Sequence, residues 1–454
     1  MKQLSLILTL VVAALTLLTG VASAAPAASP DTTLSDDQRA GIVKAVSDVV
    51  NESYIFADVA AEMGRLIEKN LKAKKYDDLE TLGEMARQLT EDLRSVSHDL
   101  HLRVDPLHEM AEDDPEEEAA IRARRLERMR RQNYGFRKVQ LRGDNIGYLE
   151  LVGFDDAGVA GNTAVAAMNY LANCDALIID LRANGGGDPS MIQLISSYFF
   201  EEPQHLNSFY IRKQDETQQF WTQANVQGPK LIDTPIYVLT SRNTFSAAEE
   251  FTYNLKNMKR ATIVGETTGG GAHPVEFEHR PEAMVTIKVP YGRAINPITK
   301  TNWEGTGVEP DIAVPAEDAL LSAEIEATKA LMAKASSDED KARHQWALEA
   351  FEAYRSPAAL EPARLAGYVG QYGPRRVTLE EGTLCYEREG STRFELVPMG
   401  DDVFAFRRGD EYIGVRVQFE RDDAGQVTHF FLMSVDQPRF KSDPRAELSA
   451  AERE

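Results

Sequence analysis

The sequence predicts a multidomain α/β protein with an N-terminal helical domain, a layered α/β core and a C-terminal antiparallel β domain. Three textures carry this reading. Residues 35–104 place apolar side chains at steps of three and four, and 143–335 alternate continuous apolar runs with helical patterns. Residues 363–446 form short alternating runs separated by turn residues. A charged helical connector, 105–142, and a second helical connector, 336–362, join the three units. A chain of 454 residues is long enough for several cores.

The chain opens "MKQLSLILTLVVAALTLLTGVASAAP". Lys2, the apolar run from Leu4 to Leu18 and the small-residue site Ala22-Ser23-Ala24 have the order of a secretory leader cleaved after Ala24. This predicts a signal peptide over 1–24, a Pro/Ala/Ser linker over 25–34 and a secreted or periplasmic protein. An uncleaved anchor is the rival, but the run is shorter than the ~20 residues a membrane span usually needs. No later segment is apolar enough to cross a bilayer, so no integral span is expected after cleavage.

"SDDQ" at Ser35–Gln38 has the form of a capping box opening the first helix. Leu79, Leu82, Met85, Leu89, Leu93 and Val96 then mark one face of a later helix. "EMAEDDPEEEAAIRARRLERMRR" runs from acidic to basic, which suits a solvated helix complementing its own dipole. In the core, "NIGYLELVGF" and "ALIIDLR" read as strands, the second buried on both faces. "PIYVLT", "ATIVGE" and "AMVTIKVPYG" continue the alternation of strands and helices. In the tail, Val415, Val417 and Phe419 alternate with polar residues as in a half-exposed antiparallel strand, and the tail's outline is that of a small barrel-like module.

Composition excludes several functions. A net charge of −22, from 72 acidic against 50 basic side chains, disfavours a nucleic-acid partner or an anionic membrane surface. Cys174 and Cys385 are the only cysteines and fall in different domains, so two buried free thiols are expected rather than a disulfide framework. Eight scattered histidines form no HExxH pattern, and neither a metal nor another cofactor is implied.

Two motifs carry candidate chemistry. In "TSRNTFSAAEEF", Ser246 stands between an apolar strand and a helix. It can cap that helix, which is worth about 1 kcal/mol, or serve as a nucleophile beside outward-pointing N–H groups, with Ala247 N–H nearest. "DLRANGGGD" ends a buried strand in Gly185-Gly186-Gly187 at the carboxyl edge where α/β sheets place sites. The run lacks the Lys-Ser/Thr of a P-loop and suits an oxyanion hole better, with a plain loop as the bland alternative.

Taken together, "TSRNTFSAAEEF…KRATIVGETTGGGAHP", "DLRANGGGD" and "GTGVEPDIAV" resemble the tail-specific, or C-terminal-processing, serine protease family. The likeness runs over roughly 34–335 and is nearest to the branch of the tricorn core protease and the bacterial relatives of interphotoreceptor retinoid-binding protein. It implies a crotonase-like protease core, a peptide or unfolded-protein substrate, Ser246 as nucleophile, and Gly187 and Ala247 as the oxyanion donors. The processing branch takes its base from a lysine after "GE", and the matching position here is Gly271. The tricorn branch uses an upstream histidine and a late glutamate, which "SVSHDLHLRV" and "NWEGTGVEPD" match as His101 and Glu304. His98 and His273 are the other candidate bases, and Glu249 and Glu250 are read as structural. The interval between His101 and Tyr148 is too short for the PDZ module that the processing enzymes carry. A non-catalytic ligand-binding protein on the same fold, and an esterase using the same serine, are the rival functions.

Overall fold

The computed structural model describes residues 29–107 and 115–446. The expected leader and residues 25–28 of the linker lie outside the described residues.

Three helices build the N-terminal domain. Helix α1 (Asp36–Ser53) opens on the capping box expected at Ser35 and Gln38. Helix α2 (Ala57–Lys72) leads to α3 (Leu82–Ser97), which opens on a second box, Thr81 with Glu84. Leu82, Met85, Leu89 and Leu93 are fully buried, and Leu79 and Val96 flank them half-buried, as the spacing predicts. Strand β1 (Arg103–Pro106) follows, then helix α4 (Pro115–Arg131).

The core contributes β2 (Phe136–Leu141), β3 (Ile146–Leu151), α5 (Ala157–Tyr170), β4 (Ala176–Asp180), α6 (Pro189–Ser196), β5 (His205–Ile211) and β6 (Glu216–Trp221). It continues through β7 (Ile236–Thr240), α7 (Ala247–Asn257), β8 (Ala261–Gly265), β9 (Val275–Arg280), β10 (Val285–Pro290), β11 (Gly292–Ile295) and β12 (Ile312–Ala313). The main sheet has the order β12-β8-β7-β4-β3-β2, parallel except for β2. Strand β2 lies inside the stretch read as a connector and extends this sheet by pairing with β3. Val238 faces one core with α5, α6 and α7, whereas Tyr237 and Leu239 face a second with α8 (Ala319–Lys334). Both faces are covered, which is why β4 and β7 are apolar at nearly every position.

Two small sheets complete the core, β11-β5-β6 and β1-β10-β9. Val285, Ile287 and Val289 of β10 share one hydrophobic cluster with Leu89 and Leu93 of α3. The helical domain is therefore fastened to a hairpin that the chain reaches only about 190 residues later.

Helix α9 (Asp338–Arg355) and the short α10 (Pro362–Ala366) lead into eight strands between Gly370 and Ala446, which close into an antiparallel barrel around Tyr368, Tyr372, Phe404, Phe419 and Phe430. Closure leaves no exposed sheet edge. Cys174 and Cys385 are buried free thiols, as expected. Among the described residues, no helix is long and apolar enough to cross a membrane.

Candidate active site

Ser246 precedes α7 with φ 55° and ψ −122°. A helix-capping residue ordinarily keeps an extended backbone, as Ser35 does at φ −82° and ψ 166°. A non-glycine residue at positive φ is strained, and it persists only where its surroundings over-determine it. Here they do. Thr244 Oγ1 donates to Leu181 O at 2.8 Å and accepts from Ser241 N at 3.0 Å, while Phe245 N donates to Asn184 O at 3.0 Å. From the other side, the buried Glu249 carboxylate accepts from Ser246 N (2.9 Å), Thr268 Oγ1 (2.5 Å), Gly270 N (2.6 Å) and Gly271 N (2.8 Å). Burial pushes the Glu249 carboxyl up, and these four donors oppose that shift. The glutamate read from sequence as structural ties the serine to the "TTGGG" loop.

The glycine run lies against the same junction. Asn184 shapes it by donating from Nδ2 to Leu151 O and accepting from Gly186 N at Oδ1. Gly186 has φ 105°, and a Cβ there would lie 2.8 Å from Ser246 Cβ and 2.9 Å from Ala247 N. Gly187 has φ 144°, and a Cβ there would collide with the Phe154 carbonyl. Only glycine fits either position. Among the described residues, no acceptor takes the N–H of Gly187 or of Ala247. Ala247 follows Ser246 in the chain and Gly187 lines the same cavity as Ser246, so both donors are free for a ligand.

His101 reaches this junction from the helical domain. Helix α3 ends at His98, whose φ of 55° turns the chain. Asp99 Oδ1 accepts from His101 N at 2.9 Å, and Arg94 donates to the carbonyls of Leu102 (2.8 Å) and Leu100 (2.6 Å). Strand β1 then pairs with β10, with Arg103 opposite Lys288. The His101 ring is buried against Phe245, with centroids 4.7 Å apart. Both of its ring nitrogens lack a hydrogen-bond partner among the described residues. Burial, then the Lys288 charge, pushes His101 down to about 4, so the ring is neutral at pH 7.

His273 and Glu304 stand behind it. His273 Nδ1 lies 2.7 Å from Asp99 Oδ2 and 3.5 Å from Glu304 Oε2, and Phe56 packs on its ring. Glu304 Oε2 accepts from Ala272 N at 2.6 Å, while its buried Oε1 has no partner. Burial and the Asp99 charge push Glu304 up to about 7. Burial opposes the charged form of Asp99, but the His273 hydrogen bond and the two histidines hold its carboxyl below the usual range. One ligand atom from each of Asp99, His101 and Glu304 lies within 4.8 Å of the other two. Such a set can hold a histidine against two carboxylates, and it also offers the mixed nitrogen and oxygen ligands that a zinc ion accepts.

Ser246, His101 and Gly187 line one cavity of about 650 Å³, together with Phe154, Phe245 and Phe277. His98 and His273 are not on its wall. Helix α4 supplies Arg122, Arg125, Leu126 and Met129 to the same wall, so the solvated connector helix flanks the site. Sequence reasoning does not single out Lys288 or these α4 residues, and it reads Glu249 as structural. Their signal is tertiary, and only Asp99 had a local cue, two residues before His101.

Residues 145–314 match the sequence profile described as peptidase family S41, and 33–133 match the N-terminal domain of Peptidase_S41 in eukaryotic IRBP. Among solved structures, the chain is similar to the photosystem II D1 C-terminal processing protease, at 15% identity over 63% of this chain and 94% of that one, TM-score 0.40. A lipoprotein from Streptococcus agalactiae aligns at 17% identity over 64% and 96%, TM-score 0.45. The tricorn protease aligns at 13% identity over 63% and 35%, TM-score 0.41.

Proposed function

We propose, from the membership of this chain in peptidase family S41, that it is a serine endopeptidase with Ser246 as nucleophile and His101 as general base. The observation that carries this reading is the strained backbone of Ser246 inside the cavity it shares with His101. A sharp strand-to-helix turn of this kind presents a serine hydroxyl at a helix N-terminus, beside the donors that can stabilise an oxyanion.

In this reading His101 takes the hydroxyl proton as Ser246 attacks the peptide carbonyl, and it later protonates the leaving amine. The free N–H groups of Gly187 and Ala247 stabilise the oxyanion. Asp99 fixes the turn that carries His101, and Glu304 supports the His273–Asp99 pair behind it. Water then releases the acyl group by the same base. The segment 1–24 acts as a cleaved leader, which places the enzyme outside the cytoplasm, and N-terminal sequencing of the exported protein tests that.

The experiment is labelling by a fluorophosphonate probe, combined with turnover of quenched fluorescent peptides. Wild type should label and cleave, Ser246→Ala should do neither, and His101→Ala should lose at least ~10³-fold in rate. Turnover should survive a chelator, and loss on chelation with rescue by zinc would instead assign Asp99, His101 and Glu304 to a metal. Equal labelling of all three proteins without cleavage would leave the ligand-binding reading. Turnover of small esters but not of peptides would leave the esterase.

A further inference from the structure

Helix α4 and strand β10 bring three cations to the wall of the Ser246 cavity, Arg122 and Arg125 from the helix and Lys288 from the strand. Among the described residues, no carboxylate lies within 4.0 Å of the side-chain nitrogens of any of them. Asp155, Asp156 and Asp188 share this wall, and the last two are held by backbone N–H groups. Asp156 Oδ1 accepts from Gly158 N (2.7 Å) and Asp188 Oδ1 from Ser190 N (2.8 Å), each at the positive end of a helix. Asp155 is pushed up by burial and has Arg125 opposing that shift, while Glu127 binds Arg130 and Arg131.

An exposed unpaired arginine is ordinary, but Lys288 is different. It is half-buried, and burial and the Arg103 charge press its pKa down against the charges of Asp99 and Asp105, which are themselves paired with His273 and Arg103. A partly desolvated ammonium without a partner gains more than an exposed one from an incoming anion. Its cross-strand neighbour Phe277, 61% exposed, lies on the same wall and offers apolar surface for the stem of a side chain. The cations come from two separate elements of the wall.

We propose that this cavity selects substrates carrying an aspartate or glutamate side chain close to the scissile bond, held by Lys288 together with the arginines of α4. The proposal rests on the peptidase reading for its site, but its test does not need turnover. Full-length Ser246→Ala protein is titrated with fluorescein-labelled, C-terminally amidated peptides that differ only in Glu, Gln or Lys at one position. The Glu peptide should bind about tenfold tighter than its Gln twin, an advantage that shrinks as salt is raised. Lys288→Met and the pair Arg122→Ala/Arg125→Ala should each reduce that ratio, and Lys288→Arg, which keeps the charge, should retain it. Equal affinity for Glu and Gln peptides overturns the proposal. So does a preference that appears only when the peptide ends in a free carboxylate, which would assign the cations to a chain terminus. Wild-type protein that binds Glu peptides selectively but cleaves none would sink the peptidase reading and leave this one standing.

Discussion

The ring of His101 stands where the side chain of any other residue at 271 would begin. A Cβ built on Gly271 would lie 2.7 Å from His101 Cε1 and would meet the ring of Phe245. The resemblance to the processing proteases places a lysine at this position. In this chain an upstream histidine fills the space, so a lysine at 271 and His101 in its present place are sterically incompatible.

Gly271→Ala should therefore displace His101 and Phe245 rather than fit. Overpacking of this kind costs about 1–3 kcal/mol of stability, and a misplacement of about 1 Å can lower turnover by ~10²-fold. Kinetics should show the loss mainly in kcat. A variant with unchanged kcat would mean that the ring moves aside without cost.

The base should work at unusually low pH. His101 acts when neutral and is pushed down to about 4, mainly by burial and next by Lys288. The acidic limb of kcat/KM on a neutral peptide should fall near pH 4 rather than near the ordinary histidine value of 6.5. Lys288→Met removes a neighbouring positive charge, so the limb should move to higher pH. An acidic limb at 6.5 in both proteins would separate His101 from the rate.

Glu304→Gln tests the buried carboxylate. Its value in the folded protein, about 7, lies above the ordinary 4.5, so ionisation is harder in the folded than in the unfolded chain. The penalty is absent below pH 4.5, grows between 4.5 and 7, and is complete above. Glutamine keeps an oxygen for Ala272 N and carries no charge. Its Tm relative to wild type should rise by about 2–4 °C, the equivalent of ~1 kcal/mol, between pH 4.5 and 8.5. A difference that does not change with pH would contradict the assignment.

Arg142 joins the barrel to the core. Its guanidinium donates to Glu324 at 2.5 Å and to Asp410 Oδ2 at 3.1 Å, with Arg142 and Glu324 both almost wholly buried. Arg142→Ala should cost about 3–5 kcal/mol in urea unfolding, because it strands the Glu324 carboxyl. The double variant Arg142→Met/Glu324→Leu should recover most of that loss. Equal destabilisation of both variants would mean that packing, not charge, joins the two parts.

Much was legible in the residues themselves. The capping box at Ser35, the apolar face of α3, the doubly buried strand β4, the strand β7 and the alternating strands of the tail all follow from local pattern. That works because helices and strands repeat at fixed intervals along the chain. The glycines at 185–187 and the serine after β7 marked the junction for the same local reason: their backbone conformations or turn positions restrict which residues fit. Tertiary structure decided the rest. His101, His98 and His273 are alike in sequence, yet only His101 reaches the cavity wall, because β1 is zipped to β10 and Gly271 leaves room for its ring. Glu249 became the knot beneath Ser246 only when the "TTGGG" loop folded over α7, and α4 became a wall of the site only when the fold brought Arg122, Arg125, Leu126 and Met129 to the cavity. Contacts between segments far apart in the chain leave no periodic trace, and the chemistry of this site is made of such contacts.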